Sequence, residues 1–423
     1  MSGLSVLLAV SLSIGCADEV SNPKDDAGWT IVPGSDAWEL VATSTTRVSK
    51  ISPPLEFPQS DSLLERAPRV RVQAVEGGAV VWELFLSHET GAAVRASSVT
   101  LAKAPKVVRS WRTGLPWQFV ANSAHGSHDL TAVGVLETSQ GTPGPPQCMV
   151  FHADTGDVKL LNSNALQQSR VTDLIAAKDL MFVGGASKSP SHQHSASVIK
   201  LDSGGRLIWR ADGLHPRGHC TLAMPGDGSS VVCAGLSRSA TSVHAESVRV
   251  HRLSPSGAIQ KSTSRPAAMF EPSLLAERFY SVTAVATAAN GHVWVAGLQP
   301  SLMTHRWWLI QLDDKLNETR RFYTAFGHET KSPVRAATAE VLQGVFLAGA
   351  YAQHPPKPTR THSDVHAFGV LTAKSSVVDP ALRIGRNPTV DISIGTPSIP
   401  GTAWIVAGDR SSTWAIAAPI ESK

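Results

Sequence analysis

The sequence predicts an all-β fold, and three observations lead to that class. A short motif, in which β-forming residues are followed by a small residue and Gly, occurs six times at intervals of 50 to 62 residues. Each copy belongs to a unit of short strand-like runs separated by turns, with four runs in the clearest units. The 33 Gly and 27 Pro residues favour many turns over long helices. Repeated units of four short strands predict a β-propeller.

The motif forms the second strand of each unit. Its six copies are residues 131–134, 182–185, 232–235, 294–297, 346–349 and 405–408. Another short apolar run precedes the motif, and turn residues such as Asn290-Gly291 separate the two, which predicts a β-hairpin. A third and a fourth run follow, for example residues 197–202 and 206–209. We interpret the recurring Gly as structural, since it lets adjacent sheets approach closely or the chain turn with positive φ.

We count seven blades of this kind. Their bounds are 70–112, 117–162, 169–210, 218–261, 280–323, 333–379 and a last blade from 387. The last blade has only three clear strands, and the runs 29–32 and 38–42 lie upstream of the first blade. We therefore expect one of these two N-terminal strands to complete the last blade and cover its open edge. Six or eight blades are alternatives to this count, and two consecutive β-sandwiches are the alternative fold.

The N-terminus predicts export. Residues 4–14 form an uncharged apolar run of eleven residues, too short for a membrane-spanning helix of ~20 residues but suited to a secretory signal. The run ends in Ser13-Ile14-Gly15-Cys16, which resembles the lipobox of bacterial lipoproteins. In that family the Cys thiol carries a diacylglyceryl group and becomes the first mature residue, so the resemblance implies lipidation at Cys16. An ordinary cleaved signal with an incidental Cys is the alternative.

These features divide the chain into three parts. Residues 1–15 are the predicted signal peptide, residues 16–28 the lipidated Cys with a polar, flexible tether, and residues 29–423 a single propeller domain. We expect a monomer in the bacterial cell envelope, held at the outer membrane or cell surface by its lipid anchor.

One turn carries a family resemblance. The pattern from Asp202 to Trp209, Asp-x-Gly-Gly-x-Leu-x-Trp, resembles quinoprotein-like repeats, and residues 153–157 look like the same turn. Quinoprotein enzymes place a docking Trp in nearly every blade, whereas only Trp209 stands at that position here. We therefore expect no bound quinone and no other cofactor. As a whole the chain is similar to bacterial cell-surface lipoproteins with degenerate β-propeller repeats.

Two cysteines flank a predicted hairpin turn centred between Gly226 and Asp227. In a symmetric register, Cys220 and Cys233 face each other on adjacent antiparallel strands, with Cβ atoms ~4.5–5.5 Å apart. Export to an oxidising compartment favours a disulfide between them. Two small buried residues in neighbouring strands are the alternative. Cys148 is left without a partner, and we expect it to be buried.

The sequence predicts no catalytic residue and no metal site. Two histidine clusters, His192-Gln193-His194 and the segment 125–129, contain ligand types, but both lie at loops or turns, where histidines are usually solvated. No known nucleophile or zinc-binding motif is present. An active site assembled from distant blades would leave no such motif.

Charge and loop pattern favour a binding role. The formal net charge of +4 argues against a strongly basic nucleic-acid binder. Five long loops follow second strands and should emerge on one face of the disc, which suits recognition of a protein or glycan partner. These loops are residues 138–146, 186–196, 236–246, 299–306 and 352–363. The alternatives are a secreted or periplasmic enzyme (a quinoprotein-like dehydrogenase, lyase or hydrolase) with its site in the central channel, and an envelope-assembly scaffold resembling the propeller lipoprotein that helps insert outer-membrane proteins.

Overall fold

The fold consists of antiparallel sheets in a computed structural model. The structure describes residues 32–33, 47–51, 69–75, 78–87, 91–100, 106–112, 117–125, 131–138, 147–152, 155, 157–162, 164–167, 169–177, 180–188, 194–225, 228–238, 247–266, 281–288, 290–300, 305–323, 329–330, 335–339, 344–352, 364–371, 382–384, 391–395, 401–408 and 413–420. Thirty strands and one short 3₁₀ helix, Asn164–Leu166, occur in these ranges.

The strands form seven sheets within the described ranges. Two strands, β1 (Val32–Pro33) and β2 (Arg47–Ile51), precede the first sheet along the chain. The first sheet contains β3 (Arg69–Val75), β4 (Gly78–Ser87), β5 (Gly91–Thr100) and β6 (Lys106–Arg112). The second contains β7 (Trp117–His125), β8 (Thr131–Thr138), β9 (Gln147–His152) and β10 (Val158–Asn162).

The next three sheets repeat this order. The third contains β11 (Ser169–Ala177), β12 (Leu180–Lys188), β13 (His194–Asp202) and β14 (Leu207–Ala211). The fourth contains β15 (Thr221–Ala223), β16 (Val231–Ser237), β17 (Ser247–Leu253) and β18 (Ile259–Pro266). The fifth contains β19 (Ser281–Thr287), β20 (Val293–Pro300), β21 (His305–Leu312) and β22 (Glu318–Tyr323).

The last two sheets include strands from the N-terminal part of the chain. The sixth contains β23 (Glu329–Thr330), β24 (Arg335–Ala339), β25 (Gly344–Ala352), β26 (Asp364–Leu371) and β27 (Leu382–Ile384), with β1 paired to β27. The seventh contains β28 (Asp391–Gly395), β29 (Gly401–Gly408) and β30 (Thr413–Ile420), with β2 paired to β30.

The seven sheets stand around a common axis. Each first strand contacts the first strand of the next sheet, in the order β3, β7, β11, β15, β19, β24 and β28, and β28 contacts β3. The first strands therefore line the axis and the fourth strands lie at the rim. This arrangement confirms the predicted all-β propeller.

The seventh sheet is closed by an N-terminal strand, but not by either segment that the sequence suggested. The closing strand is Arg47–Ile51, which pairs antiparallel with Thr413–Ile420. Val32, from the suggested run 29–32, pairs instead with Arg383 in the sixth sheet, and the run 38–42 lies outside the described residues. Analysis of the apolar pattern overlooked the true closing strand because Arg47 and Lys50 make it polar, as suits an edge strand that must not attract a further strand.

Hydrogen bonds between first strands join neighbouring sheets near the axis. The Thr172 hydroxyl donates to the carbonyl of Cys220 at 3.0 Å, and the Thr221 hydroxyl at the equivalent place in the next sheet donates to the carbonyl of Val282 at 3.3 Å. The Leu222 amide donates to the carboxylate of Asp173 at 2.7 Å. These bonds satisfy polar groups where two sheets meet, so the packing between blades has a fixed register as well as an apolar core.

The hydrophobic core is divided among the interfaces between adjacent sheets. Between the fourth and fifth sheets, Val232 and Val250 share one cluster with Val295 and Trp308. Across the junction of the seventh and first sheets, Trp404 packs in a cluster with strands β3 and β4. Each of these side chains is almost completely buried, as expected for the main source of folding free energy.

The recurring Gly of the motif is required by a close approach within its own sheet. A Cβ atom on Gly185 would lie 2.2 Å from the carbonyl oxygen of Arg170, and one on Gly235 would lie 2.1 Å from the carbonyl oxygen of His219. Both carbonyls belong to the segment that begins the first strand. Neither position has space for any side chain, which supports the structural interpretation of this Gly.

The turn between third and fourth strands receives a side chain from the preceding sheet. The Trp209 indole donates from Nε1 to the carbonyl of Pro255 at 2.7 Å and packs over Gly257, where φ is 86°. Leu161 takes the corresponding place against Gly205 of the third sheet. Trp209 is thus a docking residue between blades, as its position in the repeat suggested.

We predict that Gly257→Ala destabilises the protein by ~2–4 kcal/mol, because the new Cβ combines backbone strain with overpacking. That Cβ would lie 2.8 Å from the indole of Trp209. Gly213→Ala is the matched control, since Gly213 also has positive φ (75°) but a Cβ there meets nothing within 4 Å. Urea unfolding measures both. Equal losses of unfolding free energy in the two variants would show that the packing of Trp209 against residue 257 does not add to the cost of the substitution.

Candidate functional site

The second-to-third strand connections lie at one face of the propeller, because every sheet orders its strands in the same way from the axis outward. Two of these connections are much shorter than predicted, and the other three agree with the predicted bounds to within two residues. Strand β12 continues to Lys188 and β13 begins at His194, so the loop expected at 186–196 contracts to 189–193. Similarly, β20 reaches Pro300 and β21 begins at His305. The regular strand pairing extended farther than the polar composition suggested.

A buried cluster of histidine and cysteine side chains lies between the third and fourth sheets. It begins in the segment that links β14 to β15, which runs beside the start of β13. The Leu214 amide donates to the carbonyl of Ala196 at 3.1 Å, and the Ala196 amide donates to the carbonyl of His215 at 2.9 Å. This strand-like pairing directs the His215 side chain into the protein.

His215 has no exposed surface, and its Nε2 lies 3.2 Å from the sulfur of Cys233. Two glycines make room for the ring. A Cβ on Gly218 would lie 2.9 Å from the Cβ of His215, and a Cβ on Gly235 would lie 2.9 Å from its Cδ2. The absence of a side chain at both glycines therefore leaves the space that this imidazole occupies.

Cys220 and Cys233 form a disulfide beside His215, with Cα atoms 5.3 Å apart. The symmetric register expected from the sequence is wrong, since Leu222 rather than Cys220 pairs with Cys233. The turn Pro225–Gly228 stands where expected, closed by a hydrogen bond of 2.9 Å from the Gly228 amide to the Pro225 carbonyl. Ser229 and Ser230 then add two residues on the β16 side and shift the register by two.

A second histidine stacks on the first. The rings of His215 and His251 have centroids 5.0 Å apart, and Nε2 of His251 lies 2.9 Å from the carbonyl oxygen of Leu214. His251 is also directly opposite Cys233 in the β16–β17 pairing. The cluster thus brings together two sulfurs and two imidazoles from three stretches of chain.

Burial keeps both imidazoles neutral. Desolvation is the main cause that lowers the pKa of His215 to about 3, and the positive charge of Arg249 is a smaller one. Desolvation is also the main cause that lowers the pKa of His251. A neutral imidazole has a free nitrogen lone pair, so each ring can accept a hydrogen bond or bind a metal ion.

The other candidates from the sequence lie apart from this cluster. Cys148 is fully buried in β9, and burial raises the pKa of its thiol to about 12, so it is protonated and unreactive. His194 is exposed at the start of β13. Cys16, His192 and residues 126–129 lie outside the described residues.

Sequence analysis missed the His–Cys cluster. Among the residues that the structure describes, His215, Cys220 and Cys233 are the one group of His, Cys, Asp or Glu side chains with ligand atoms close enough to hold a metal ion. Their spacing matches no known metal motif, and His215 lies in a linker between sheets.

Comparison with known proteins supports the fold. No protein-family model matches the sequence, and no curated protein matches it significantly. Among solved structures, the chain is similar to the WD40 domain of coronin from Toxoplasma gondii, with 8% identity, a TM-score of 0.50, and coverage of 92% of this chain and 90% of that one. It is also similar to the polysaccharide lyase Uly1, with 9% identity, a TM-score of 0.50, and coverage of 83% and 90%. The likeness is one of fold alone.

In the part of the chain that the structure covers, no helix has the length and apolar character needed to span a bilayer.

Proposed function

We propose that this protein is an exported, lipid-anchored β-propeller that binds a protein or glycan partner at the bacterial cell envelope. The observation that carries the proposal is the Cys220–Cys233 disulfide, buried in the fourth sheet. Disulfides persist in oxidising compartments outside the cytosol, so a buried pair of this kind supports export. The apolar run 4–14 and the Gly15-Cys16 pair supply the matching signal and lipidation site.

The anchor sets how the propeller meets the membrane. The predicted tether has 12 residues after Cys16, and a flexible chain of that length has an average reach of ~20 Å, from ~5–6 Å multiplied by the square root of its length. A tether of that reach would hold the propeller close to the bilayer. A partner in the same envelope layer then meets the propeller at a raised local concentration.

The face with the second-to-third strand connections is the proposed binding face. In the third and fourth sheets its described part is rich in basic groups: Arg170 at the start of β11, Arg217 in the linker and Arg238 after β16. Arg217 also has a φ of 50°, unusual for a residue with a side chain, and its amide donates to the carbonyl of His194 at 2.8 Å. Rigid strands that present guanidinium groups at a face suit a partner with carboxylate, sulfate or phosphate groups.

We predict that the full-length protein from a native membrane fraction carries a diacylglyceryl modification and partitions into detergent, whereas Cys16→Ala partitions into the aqueous phase. Intact mass and detergent phase separation measure both properties. Ser21→Ala, in the same tether, is the matched control and should behave like the wild type. A mature wild-type chain without a lipid mass, recovered in the aqueous phase, would contradict lipid anchoring.

A further inference from the structure

We propose that His215, Cys220, Cys233 and His251 form a buried binding site for one Zn²⁺ ion when the Cys220–Cys233 disulfide is reduced. The site goes beyond the envelope-binding function and does not depend on it. It consists of two thiolates and two imidazoles, a ligand set that zinc prefers in tetrahedral structural sites.

The first three ligand atoms are already close together. The sulfurs of Cys220 and Cys233 and a ring nitrogen of His215 all lie within 4.8 Å of one another, and Nε2 of His215 is 3.2 Å from the Cys233 sulfur. At a tetrahedral zinc ion with Zn–S of ~2.3 Å and Zn–N of ~2.0 Å, neighbouring ligand atoms are ~3.3–3.8 Å apart. Once the disulfide is broken, the sulfurs need only separate to that distance for an ion to fit between the three groups.

The disulfide form alone does not explain why a histidine occupies this buried position. A buried polar ring costs ~1–3 kcal/mol when it lacks a good hydrogen bond, and sulfur is a weak partner. Its Nδ1 has no hydrogen-bond partner among the described residues. An apolar side chain would fill the same space at lower cost, yet Gly218 and Gly235 both keep that space open for the imidazole.

His251 is the candidate for the fourth ligand, although its ring has to move towards the sulfurs, since it is outside the group whose ligand atoms lie within 4.8 Å of one another. It is the cross-strand partner of Cys233, so the two side chains share one face of the sheet. Nε2 of His251 lies at hydrogen-bond distance from the Leu214 carbonyl, which assigns the proton to that nitrogen. Its Nδ1 then carries the lone pair, and it is buried with no hydrogen-bond partner in the described part of the chain. Metal-binding histidines typically donate their other ring N–H to a backbone carbonyl in this way.

Oxidation would release the ion. A disulfide oxidant, RSSR, takes two electrons from the two zinc-bound thiolates and two protons from solution, and becomes two RSH molecules. The two protein sulfurs form the Cys220–Cys233 bond, and Zn²⁺ leaves because the bonded sulfurs are no longer thiolates. A chain that folds under reducing conditions would therefore hold zinc, and an oxidised chain would hold the disulfide in its place.

The test uses Co²⁺ as a spectroscopic probe and the full chain, refolded without oxygen in the presence of a phosphine reductant. We expect one Co²⁺ per reduced chain, with the visible bands of tetrahedral cobalt and a near-ultraviolet thiolate-to-cobalt band, and displacement by Zn²⁺. The oxidised chain should bind none. Equal binding by both forms, or a reduced chain that stays unfolded with metal present, would overturn the proposal.

Variants assign the ligands. His215→Asn should weaken Co²⁺ binding at least ~10-fold and change the visible bands, whereas His194→Asn, with an exposed histidine in the neighbouring sheet, should leave both unchanged. Cys148→Ala should keep the thiolate-to-cobalt band. If His215→Asn binds as tightly as the wild type, or if Cys148→Ala removes the band, the assignment is wrong. Detergent partitioning of the protein from the native membrane fraction tests the anchor separately, so the two proposals fail independently.

Discussion

A chain that begins at Pro53 is expected to melt ~10 °C or more below a chain that begins at Thr46, since each kcal/mol of stability changes the melting temperature of a large domain by ~2–4 °C. The shorter chain lacks Arg47–Ile51, which forms five residue pairs with β30 in the seventh sheet. Because both chains lack β1, that sheet is the one place among their described residues where the N-terminal and C-terminal parts of the chain are hydrogen-bonded to each other. Without β2, the edge of β30 is unpaired and the ring is closed only by packing of β28 and β29 against β3.

The two truncated chains are well matched. Both lack the predicted signal, Cys16 and the β1 strand, so they differ only in residues 46–52, which include the closing strand. Differential scanning calorimetry gives the melting temperatures, and hydrogen exchange should show lost protection in β30 of the shorter chain. Melting temperatures within ~2 °C of each other would show that β2 does not close the propeller.

The strand repeat was predictable because its signals are local. A hairpin turn, a small residue before Gly, and alternating apolar residues each depend on a few neighbouring positions, and they located the central strands of the sheets from β3 to β30. The predicted sixth blade, 333–379, nevertheless left out β23 and β27. The closing strand was not predictable in this way. Its pairing partner lies about 370 residues away, and its charged residues interrupt the apolar pattern by which the other strands were recognised.

The cluster at His215 was also not predictable from local sequence patterns. Its members come from a linker, a hairpin and the third strand of the fourth sheet, so no single window of sequence contains them. The two-residue register shift caused by Ser229 and Ser230 also decides which residue faces Cys233. Sequence patterns do not show such a shift. The tight packing of Gly235 against His215 is likewise visible only in the structure.

Acid is expected to destabilise the wild-type protein more than a His215→Gln variant. The pKa of His215 is lowered in the folded protein from its ordinary value of 6.5 to about 3, chiefly by burial. The unfolded chain therefore binds the proton first. The contribution of His215 to the free energy of unfolding is fully present above pH ~6.5. It is lost as the pH falls from there towards ~3, at up to ~1.4 kcal/mol per pH unit.

By pH 5 this loss amounts to ~2 kcal/mol, and by pH 4 to ~3 kcal/mol, relative to neutral pH. His251 also has a lowered pKa and stacks on His215. The variant therefore keeps the acid sensitivity that comes from His251 and loses only the part that comes from protonation of His215. Urea midpoints between pH 7 and pH 4 measure the difference in slope. His194→Gln, at an exposed position, should follow the wild-type curve. Parallel curves for the wild type and His215→Gln would mean that His215 is not held neutral by its surroundings, and that the imidazole at the centre of the cluster is accessible to solvent.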